Sequence, residues 1–389
     1  MRGVRRPGAL GAAVTAVQVA VSGVSAQLAI EHAGSVALPG AAVDQHDVSF
    51  AISGLSGVTW LGGESYAAVM DNSDKLVLFE LGLAADGSVV GLDGVRGLTL
   101  GGSGDHEGVA ATCAGTVLVS HEGAMTVREF RLDDGALVRT LSVPAVYSSR
   151  RGNLGLESLS FDPAFVWTGN EEALTVDGGR ATPEAGTVVR LLRLGPDGEA
   201  LSQHAYEVEP MHGPRIPFGN PGQSGLSELV SLPDGTLLAV ERSLAWTAPL
   251  FLTRVYRVEF ANATDVSGLD GLIGAEYTPV GKTLVYSGGH NNLEGLCLGP
   301  RLSPTSHALV GVVDDGDPVS TNAVEVFRLI GLEACAADVD ADGEIDIEDL
   351  HRLHAVPEDL DGDGSADAGD LRCLERYLRR HEWFDVLGG

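Results

Sequence analysis

A short apolar motif recurs five times along this chain, and each copy carries a small or acidic residue at a fixed position. The five residues at that position are Ser56, Glu107, Glu157, Glu228 and Glu294. Each copy then continues through an apolar stretch to a second acidic residue. The second acids are Asp71, Glu122, Glu171, Glu241 and Asp314. Successive copies begin roughly 50 to 70 residues apart, a period typical of solenoids and β-propellers, so the repeat constrains the fold before any single motif does.

The segments inside each copy are predicted to be short strands. Residues 116–120 and 324–329 are rich in β-branched side chains, which excludes a helical solenoid. Asp-Gly pairs at 86–87 and 234–235 are hairpin signals. We therefore predict an all-β, five- or six-bladed β-propeller. Residues 28–50 could supply a closing outer strand, and residues 242–290 could hold a sixth blade.

The acidic repeat predicts a metal site on the propeller axis, because the first strand of each blade lines the central channel. The glutamates expected to face one another there are Glu107, Glu157, Glu228 and Glu294. Converging carboxylates raise each other's pKa or require a counter-ion. Calcium would serve, with Asp71, Asn153 and Asn292 as further oxygen ligands of the kind that it prefers. The alternative is that each glutamate caps a turn or pairs with a neighbouring arginine.

From about Ile52 to Ile330 the chain resembles the phytase-like family, the group described by an esterase-like activity of phytase. The resemblance rests on residues 151–159 (Arg-Gly-Asn-Leu-Gly-Leu-Glu-Ser-Leu), 225–229 (Gly-Leu-Ser-Glu-Leu), 233–242 and 292–296. It implies an exported propeller that acts on phosphate esters or other esters.

A hydrolase of this kind would be calcium-dependent. Glu157 and Glu228 are its predicted catalytic carboxylates, and Arg151 and Arg242 would stabilise the developing negative charge. Because the sequence has two lysines, a small ester or a lactone is a more plausible substrate than a heavily phosphorylated one. The alternatives are a calcium-dependent lactonase and a non-catalytic, calcium-stabilised binding propeller.

Charge and the amino terminus indicate where the protein acts. The net charge of −29 disfavours nucleic acid and anionic membranes as partners. Residues 1–26 read as a signal peptide, with a basic start, an apolar stretch and a small-residue cleavage site ending at Ala26. We predict a secreted or periplasmic protein with no transmembrane anchor, whose propeller spans residues 27–333.

Two acidic repeats near the carboxyl terminus have the pattern of 12-residue calcium loops, with a glycine at the sixth place. The predicted ligands of the first loop are Asp338, Asp340, Asp342, Glu344, Asp346 and Asp349. Those of the second loop are Asp359, Asp361, Asp363, Ser365, Asp367 and Asp370. Each loop ends in aspartate and is followed by leucine, which resembles the dockerin type I repeat.

Residues 334–389 are therefore predicted to form a small α-helical, dockerin-like calcium-binding domain. Cys335 and Cys373 bracket this segment, and we favour a disulfide between them. The resemblance implies a cohesin-like or cell-surface partner. The alternative is a calcium-stabilised carboxy-terminal domain without a partner.

Overall fold

A computed structural model describes residues 28–332, apart from positions 113, 162–164, 196, 233, 304 and 318, and also position 352. The predicted signal peptide (1–26), both calcium loops, and Cys335 and Cys373 lie outside the described residues. Within the described part of the chain, no helix is long and apolar enough to cross a membrane.

The described chain forms five antiparallel sheets of four strands each, and every sheet is one blade of a propeller. Blade 1 contains β4 (Leu55–Gly62), β5 (Ser65–Met70), β6 (Ser73–Leu83) and β7 (Val89–Gly104). Blade 2 contains β8 (His106–Ala111), β9 (Thr116–His121), β10 (Thr126–Arg131) and β11 (Leu137–Ser142). Blade 3 contains β12 (Leu156–Phe161), β13 (Val166–Asn170), β14 (Thr187–Leu194) and β15 (Ala200–Val208).

Blade 4 contains β16 (Gln223–Ser231), β17 (Leu237–Leu244), β18 (Phe251–Glu259) and β19 (Gly281–Gly288). Blade 5 contains β20 (Leu293–Ser303), β21 (Ser306–Val313), β22 (Ala323–Ile330) and β1 (Ala29–Ala37). A small hairpin of β2 (Ala41–Val43) and β3 (Ser49–Ala51) follows β1, and a 3₁₀ turn spans Ala145–Ser149.

The propeller closes through its amino-terminal strand. β1 pairs antiparallel with β22, from Ala29 opposite Ile330 to Ala37 opposite Ala323, and so becomes the outermost strand of blade 5. The predicted all-β propeller and the closing strand from residues 28–50 are thus confirmed. Because closure joins both ends of the described chain in one sheet, the ring of blades resists opening.

The expectation of a sixth blade in residues 242–290 is wrong. This segment supplies the end of β17, β18 and β19 to blade 4. Residues 260–280, between β18 and β19, instead form an excursion against blade 3. There, the amide of Val266 donates to the carbonyl of Gln203, and the amide of Val280 donates to that of Ala205. The additional residues of this copy therefore form a loop. The spacing between motifs alone does not distinguish such a loop from a further blade.

The inner strands approach one another so closely that small residues are required. A Cβ atom added to Gly57 would lie 2.6 Å from the carbonyl oxygen of Glu107, and one added to Gly295 would lie 2.5 Å from that of Ser56. Such separations are well inside ordinary van der Waals contact. The strands β4, β8, β12, β16 and β20 pack side by side in a ring, and this ring sets the width of the axial channel.

Candidate functional site

Four of the five blades bring their two repeat residues to the axis through the same backbone pairing. The residue after the second strand donates its amide to the carbonyl of the residue before the inner strand. Glu122 donates to Asp105 at 2.9 Å in blade 2, and Glu171 donates to Gly155 at 3.0 Å in blade 3. Two further blades repeat the bond, from Asp71 to Gly54 and from Asp314 to Asn292. The second acid of a motif is thereby held next to the first.

A β-bulge turns the first motif residue toward the axis. The register between the inner and second strands shifts around Glu157 in blade 3 and around Glu294 in blade 5. Blades 1 and 2 have the same shift at Ser56 and Glu107. Bulges leave one residue unpaired and redirect its side chain, and they are common beside active sites.

These residues line one axial cavity of about 190 Å³. Its seven carboxylates belong to Asp71, Glu107, Glu122, Glu157, Glu171, Glu294 and Asp314. Arg242 is the one basic residue of the lining, and Ser56, Asn153 and Gln223 add neutral polar groups. A cavity with this excess of negative charge needs either protonated acids or a bound cation.

Blade 4 departs from the pattern of the other four blades. Its register shift falls at Ser227, so serine stands where blade 3 has Glu157. Arg242 lies opposite Gly225 at the place of the second acid. Glu241 points away from the axis, where its carboxylate accepts hydrogen bonds from the Tyr206 hydroxyl at 2.8 Å and from Lys282 at 2.8 Å.

Arg242 links the acids of blades 3 and 5. Its Nη2 atom donates to Oε1 of Glu171 at 3.1 Å, and its Nη1 atom donates to Oδ1 of Asn292 at 2.8 Å. It also forms an ion pair with Glu294. Asn292 in turn donates to Oδ2 of Asp314 at 2.9 Å. One guanidinium therefore compensates part of the charge on this side of the cavity.

The other acids are only partly compensated. The Ser56 hydroxyl donates to Oε2 of Glu107 at 2.6 Å, and the Gly155 amide donates to Oε1 of Glu122 at 2.6 Å. Within the described residues, several buried carboxylate oxygens have no hydrogen-bond donor. They are Oδ1 of Asp71, Oδ1 of Asp105, Oε2 of Glu122, Oε2 of Glu294 and Oδ1 of Asp314. Buried polar atoms without a partner are costly, and a bound ion is one way to satisfy them.

Burial and mutual repulsion shift the protonation of the acids. Burial raises the pKa of Glu107 and of Glu157 well above the usual value, and Asp71 and Glu107 respectively add to the shift by their charge. Burial raises the pKa of Glu122 to about 8 and that of Asp71 to about 6. A bound cation would reverse this trend by favouring the charged forms.

A group of three potential metal ligands lies between blades 1 and 2. One carboxylate oxygen from each of Asp71, Asp105 and Glu107 lies within 4.8 Å of the other two. Asp105 was missed by the sequence reasoning, although it holds the place before the inner strand that Gly155 and Asn292 hold in other copies. It lies two residues before Glu107, where the copies in blades 1 and 3 have Gly54 and Gly155, so comparing that position across the copies would have revealed it.

The structure separates the predicted site residues into two groups. Glu107, Glu157, Glu294, Arg242 and Asn153 line the axial cavity. Asn292 does not line it, but it bonds to two residues that do.

Glu228 and Arg151 are not part of the cavity lining. The Glu228 carboxylate accepts hydrogen bonds from the backbone amides of Leu159 and Leu229, both at 2.9 Å. It occupies the place that Gly108 and Gly295 hold in neighbouring copies, so it fastens inner strands together. The Arg151 guanidinium donates to the carbonyl oxygens of Ala173 and Gly178 and thereby holds the loop after β13.

The solved structures that match this chain are similar to it only weakly, both in sequence and in backbone structure. A PQQ-bound aldose sugar dehydrogenase from Streptomyces coelicolor has 13% identity and a TM-score of 0.40, covering 78% of this chain and 99% of its own. The glutaminyl cyclase of Myxococcus xanthus has 12% identity and a TM-score of 0.37, with coverages of 78% and 98%. The hydrazine synthase of Kuenenia stuttgartiensis has 12% identity and a TM-score of 0.32, with coverages of 71% and 63%.

Sequence comparison is more informative. No curated protein sequence matches the chain. The family described as "Phytase-like: Esterase-like activity of phytase" matches residues 51–317 of the 389. That range begins just before β4 and ends after β21, so it includes all of the axial carboxylates. The chain therefore belongs to the phytase-like family.

Proposed function

We propose that this protein is a calcium-dependent hydrolase of ester or phosphoester bonds whose active site is the axial cavity. The observation that carries the proposal is the convergence of seven carboxylates and one arginine in a single cavity of about 190 Å³. Family membership supports a hydrolase of the esterase type.

The residues present fit calcium. The unpartnered oxygens of Asp71, Asp105, Glu122, Glu294 and Asp314 are hard carboxylate ligands, which calcium accepts in sets of six to eight. Asp71, Asp105 and Glu107 would hold a first ion, since their oxygens already lie together. Glu157 and Glu122, which line the same cavity, could complete its coordination.

Calcium, when bound, would supply a positive charge that attracts an anionic ester and polarises its oxygen. The chain's own residues would orient that substrate. Arg242 is held by Glu171 and Asn292, so its guanidinium has a fixed direction at the cavity wall. Preorganised donors of this kind stabilise charge that develops during the reaction. Glu157 and Arg242 thus remain our candidate catalytic residues, whereas the contacts of Glu228 and Arg151 favour structural roles.

The surroundings favour a small substrate. Lys75 bonds to Asp44 and Thr99, and Lys282 bonds to Glu241, so both lysines of the sequence are engaged away from the cavity lining. A substrate with many phosphates would meet a single cationic side chain in the cavity lining, that of Arg242. A simple phosphomonoester, carboxylic ester or lactone makes fewer such demands.

The test is hydrolysis by the full-length protein of a panel of phosphate, carboxylic and lactone esters, with calcium and after chelation. We expect activity with calcium only, and a loss of at least about 100-fold in Glu157→Gln, as for removal of a key polar group at an active site. The exposed Glu184→Gln is the matched control and should keep full activity.

Bound calcium is measured in the same samples. The two predicted carboxy-terminal loops account for two ions, so the axial site requires more than two per chain. Calcium above two without turnover of any ester would refute the hydrolase and leave a calcium-stabilised binding propeller. Two ions or fewer would refute the axial calcium site.

We also propose that the protein is exported and tethered. Cleavage after Ala26 would leave β1, which begins at Ala29, intact to close the propeller. The mass of the mature protein tests this directly, and a chain that keeps residues 1–26 would refute export. Calcium-dependent capture of a cohesin domain tests the tethering module, and absence of binding with calcium-loaded protein would refute that partner.

A further inference from the structure

A second group of potential metal ligands lies at the outer edge of the joint between blades 4 and 5. It consists of His32, His290 and Glu325, and one ligand atom of each lies within 4.8 Å of the others. His32 is on β1, Glu325 is on β22, and His290 follows β19. β1 and β19 are the outermost strands of their blades. The group is therefore separate from the axial cavity, whose lining contains none of the three.

Strand pairing places two of the ligands on one face of blade 5. His32 lies opposite Phe327 in the β1–β22 ladder. Glu325 and Phe327 are two residues apart on β22, so they point to the same face of the sheet. That face packs against blade 4, since Phe327 and the partly buried Tyr286 of β19 share one hydrophobic cluster. His290, beyond the end of β19, completes the group from the blade 4 side.

The distances suit a tetrahedral ion. Nε2 of His32 lies 2.6 Å from Oε2 of Glu325, and Nδ1 of His290 lies 3.8 Å from the same oxygen. Ligand atoms around tetrahedral zinc, with bonds of about 2.0–2.1 Å, are about 3.3 Å apart. The two observed distances bracket that value, and every ligand atom lies within 4.8 Å of the others, so side-chain shifts of about 1–2 Å would form the site.

The surroundings orient one imidazole for binding. The hydroxyl of Tyr286 lies 2.5 Å from Nε2 of His290, which leaves Nδ1 facing Glu325. A ligating histidine commonly bonds through its second nitrogen to such an outer partner. The Phe327 ring contacts both imidazoles edge to face, at centroid distances of 5.3 and 4.9 Å. The side chain of His32 is 41% exposed, so an ion and a water ligand can reach the group.

We propose that His32, His290 and Glu325 bind a zinc ion that fastens the closing strand and blade 5 to the end of blade 4. Two imidazoles and a carboxylate are a common zinc donor set, whereas calcium takes oxygen ligands. The site would hold together the first strand of the propeller, its last strand and the outer end of the preceding blade. It therefore complements the closure that β1 makes by pairing with β22 and by burying Ile30.

The experiment uses full-length protein saturated with calcium, so that the axial carboxylates and the predicted carboxy-terminal loops are occupied. Zinc binding is followed by titration calorimetry, and cobalt is added separately because a tetrahedral cobalt site gives visible absorption. We expect His290→Ala and Glu325→Gln each to lose one zinc equivalent or to weaken its binding at least about 100-fold. Tyr286→Phe should weaken it about 10-fold through loss of the orienting bond.

Two controls separate this site from others. His46→Ala removes an exposed histidine elsewhere on the surface, and Glu157→Gln changes the axial cavity. Both should bind zinc as the wild type does, and zinc should raise the melting temperature of these proteins but not that of Glu325→Gln. His32→Gln serves if His290→Ala does not fold. Absence of zinc binding by the wild type, or unchanged affinity in folded Glu325→Gln and His32→Gln, would overturn the site and leave an ordinary His–Glu hydrogen bond.

Discussion

Replacing Arg242 by methionine removes the single positive charge of the axial cavity. The side chain of Arg242 is 10% exposed, and those of its partners Glu171 and Glu294 are 5% and 11% exposed. Breaking a buried ion pair from one side typically costs about 3–5 kcal/mol, because a charge is left without compensation. The two acids can take up protons instead, so we expect the lower limit, about 3 kcal/mol, for the metal-free protein at pH 7.

The expected shift in melting temperature follows from the size of the propeller. An unfolding entropy of about 2.1 cal/mol/K per residue gives about 0.6 kcal/mol/K for roughly 300 residues. A loss of about 3 kcal/mol then lowers the melting temperature by about 5 °C. Differential scanning calorimetry of the full-length protein measures this, once in chelator and once in saturating calcium. Calcium should reduce the difference in melting temperature between Arg242→Met and the wild type, because a bound cation replaces part of the lost positive charge.

Arg257→Met is the matched control. Arg257 pairs with Asp234 at 2.7 Å, but the two side chains are 27% and 21% exposed, so the pair is screened by water. Its removal should cost less than about 1 kcal/mol. Equal losses for Arg242→Met and Arg257→Met in chelator would refute the electrostatic account of the axis. A difference in melting temperature that calcium leaves unchanged would show that a cation bound in the cavity does not replace the charge of Arg242.

Three further predictions test the description of the ring and of the blades. Glu228→Gln should change the free energy of unfolding by less than about 1 kcal/mol and leave the amount of bound calcium unchanged. The reason is that burial raises the pKa of Glu228 and that glutamine has the same shape. Loss of a calcium ion would contradict this. Gly295→Ala should cost about 1–3 kcal/mol in urea unfolding through overpacking, whereas Gly268→Ala, with open space around it, should stay within about 0.5 kcal/mol. Burial lowers the pKa of His307 to about 4, so its contribution to stability is complete above about pH 6.5 and is lost as the pH falls toward 4, by about 3 kcal/mol in all. His307→Gln should flatten that part of the pH–stability curve, and an unchanged slope would show that folding does not lower the pKa of His307.

Much of the ring could be predicted from the sequence because the repeat has a physical cause. In four blades the bulged residue of the inner strand and the residue after the second strand are brought together by backbone pairing, so both recur, 14 to 20 residues apart. Glu107, Glu157 and Glu294 were identified in this way. Their presence in one cavity follows from the closed ring of inner strands.

Two predicted catalytic residues, Glu228 and Arg151, do not line the cavity. In blade 4 the acid nearest the expected place is Glu228, but the bulge falls at Ser227, so Glu228 points to backbone amides of the neighbouring inner strands. Sequence spacing does not reveal which residue of a pair is bulged. Arg151 was likewise assigned to the cavity from its position beside the motif, whereas its guanidinium finds carbonyl oxygens of the loop after β13. Long polar side chains are placed by partners that are distant in sequence.

Because blade 4 carries Arg242 where other blades carry an acid, the two sides of the cavity differ in charge. This difference predicts where metal binds. In a ring of five, blades 1 and 2 lie across the axis from blade 4. The group of Asp71, Asp105 and Glu107 is therefore on the far side from Arg242, whose place in the ring would otherwise hold an acid. Cations are repelled by the guanidinium and attracted by the unpartnered carboxylates, while an anionic substrate prefers the space between the two charges. Within the axial cavity, crystals soaked with a lanthanide, as a calcium substitute, should show the strongest anomalous density beside Asp105 and Glu107. Density beside Arg242 instead, with none at Asp105, would contradict the charge separation from which the orientation of the substrate is inferred.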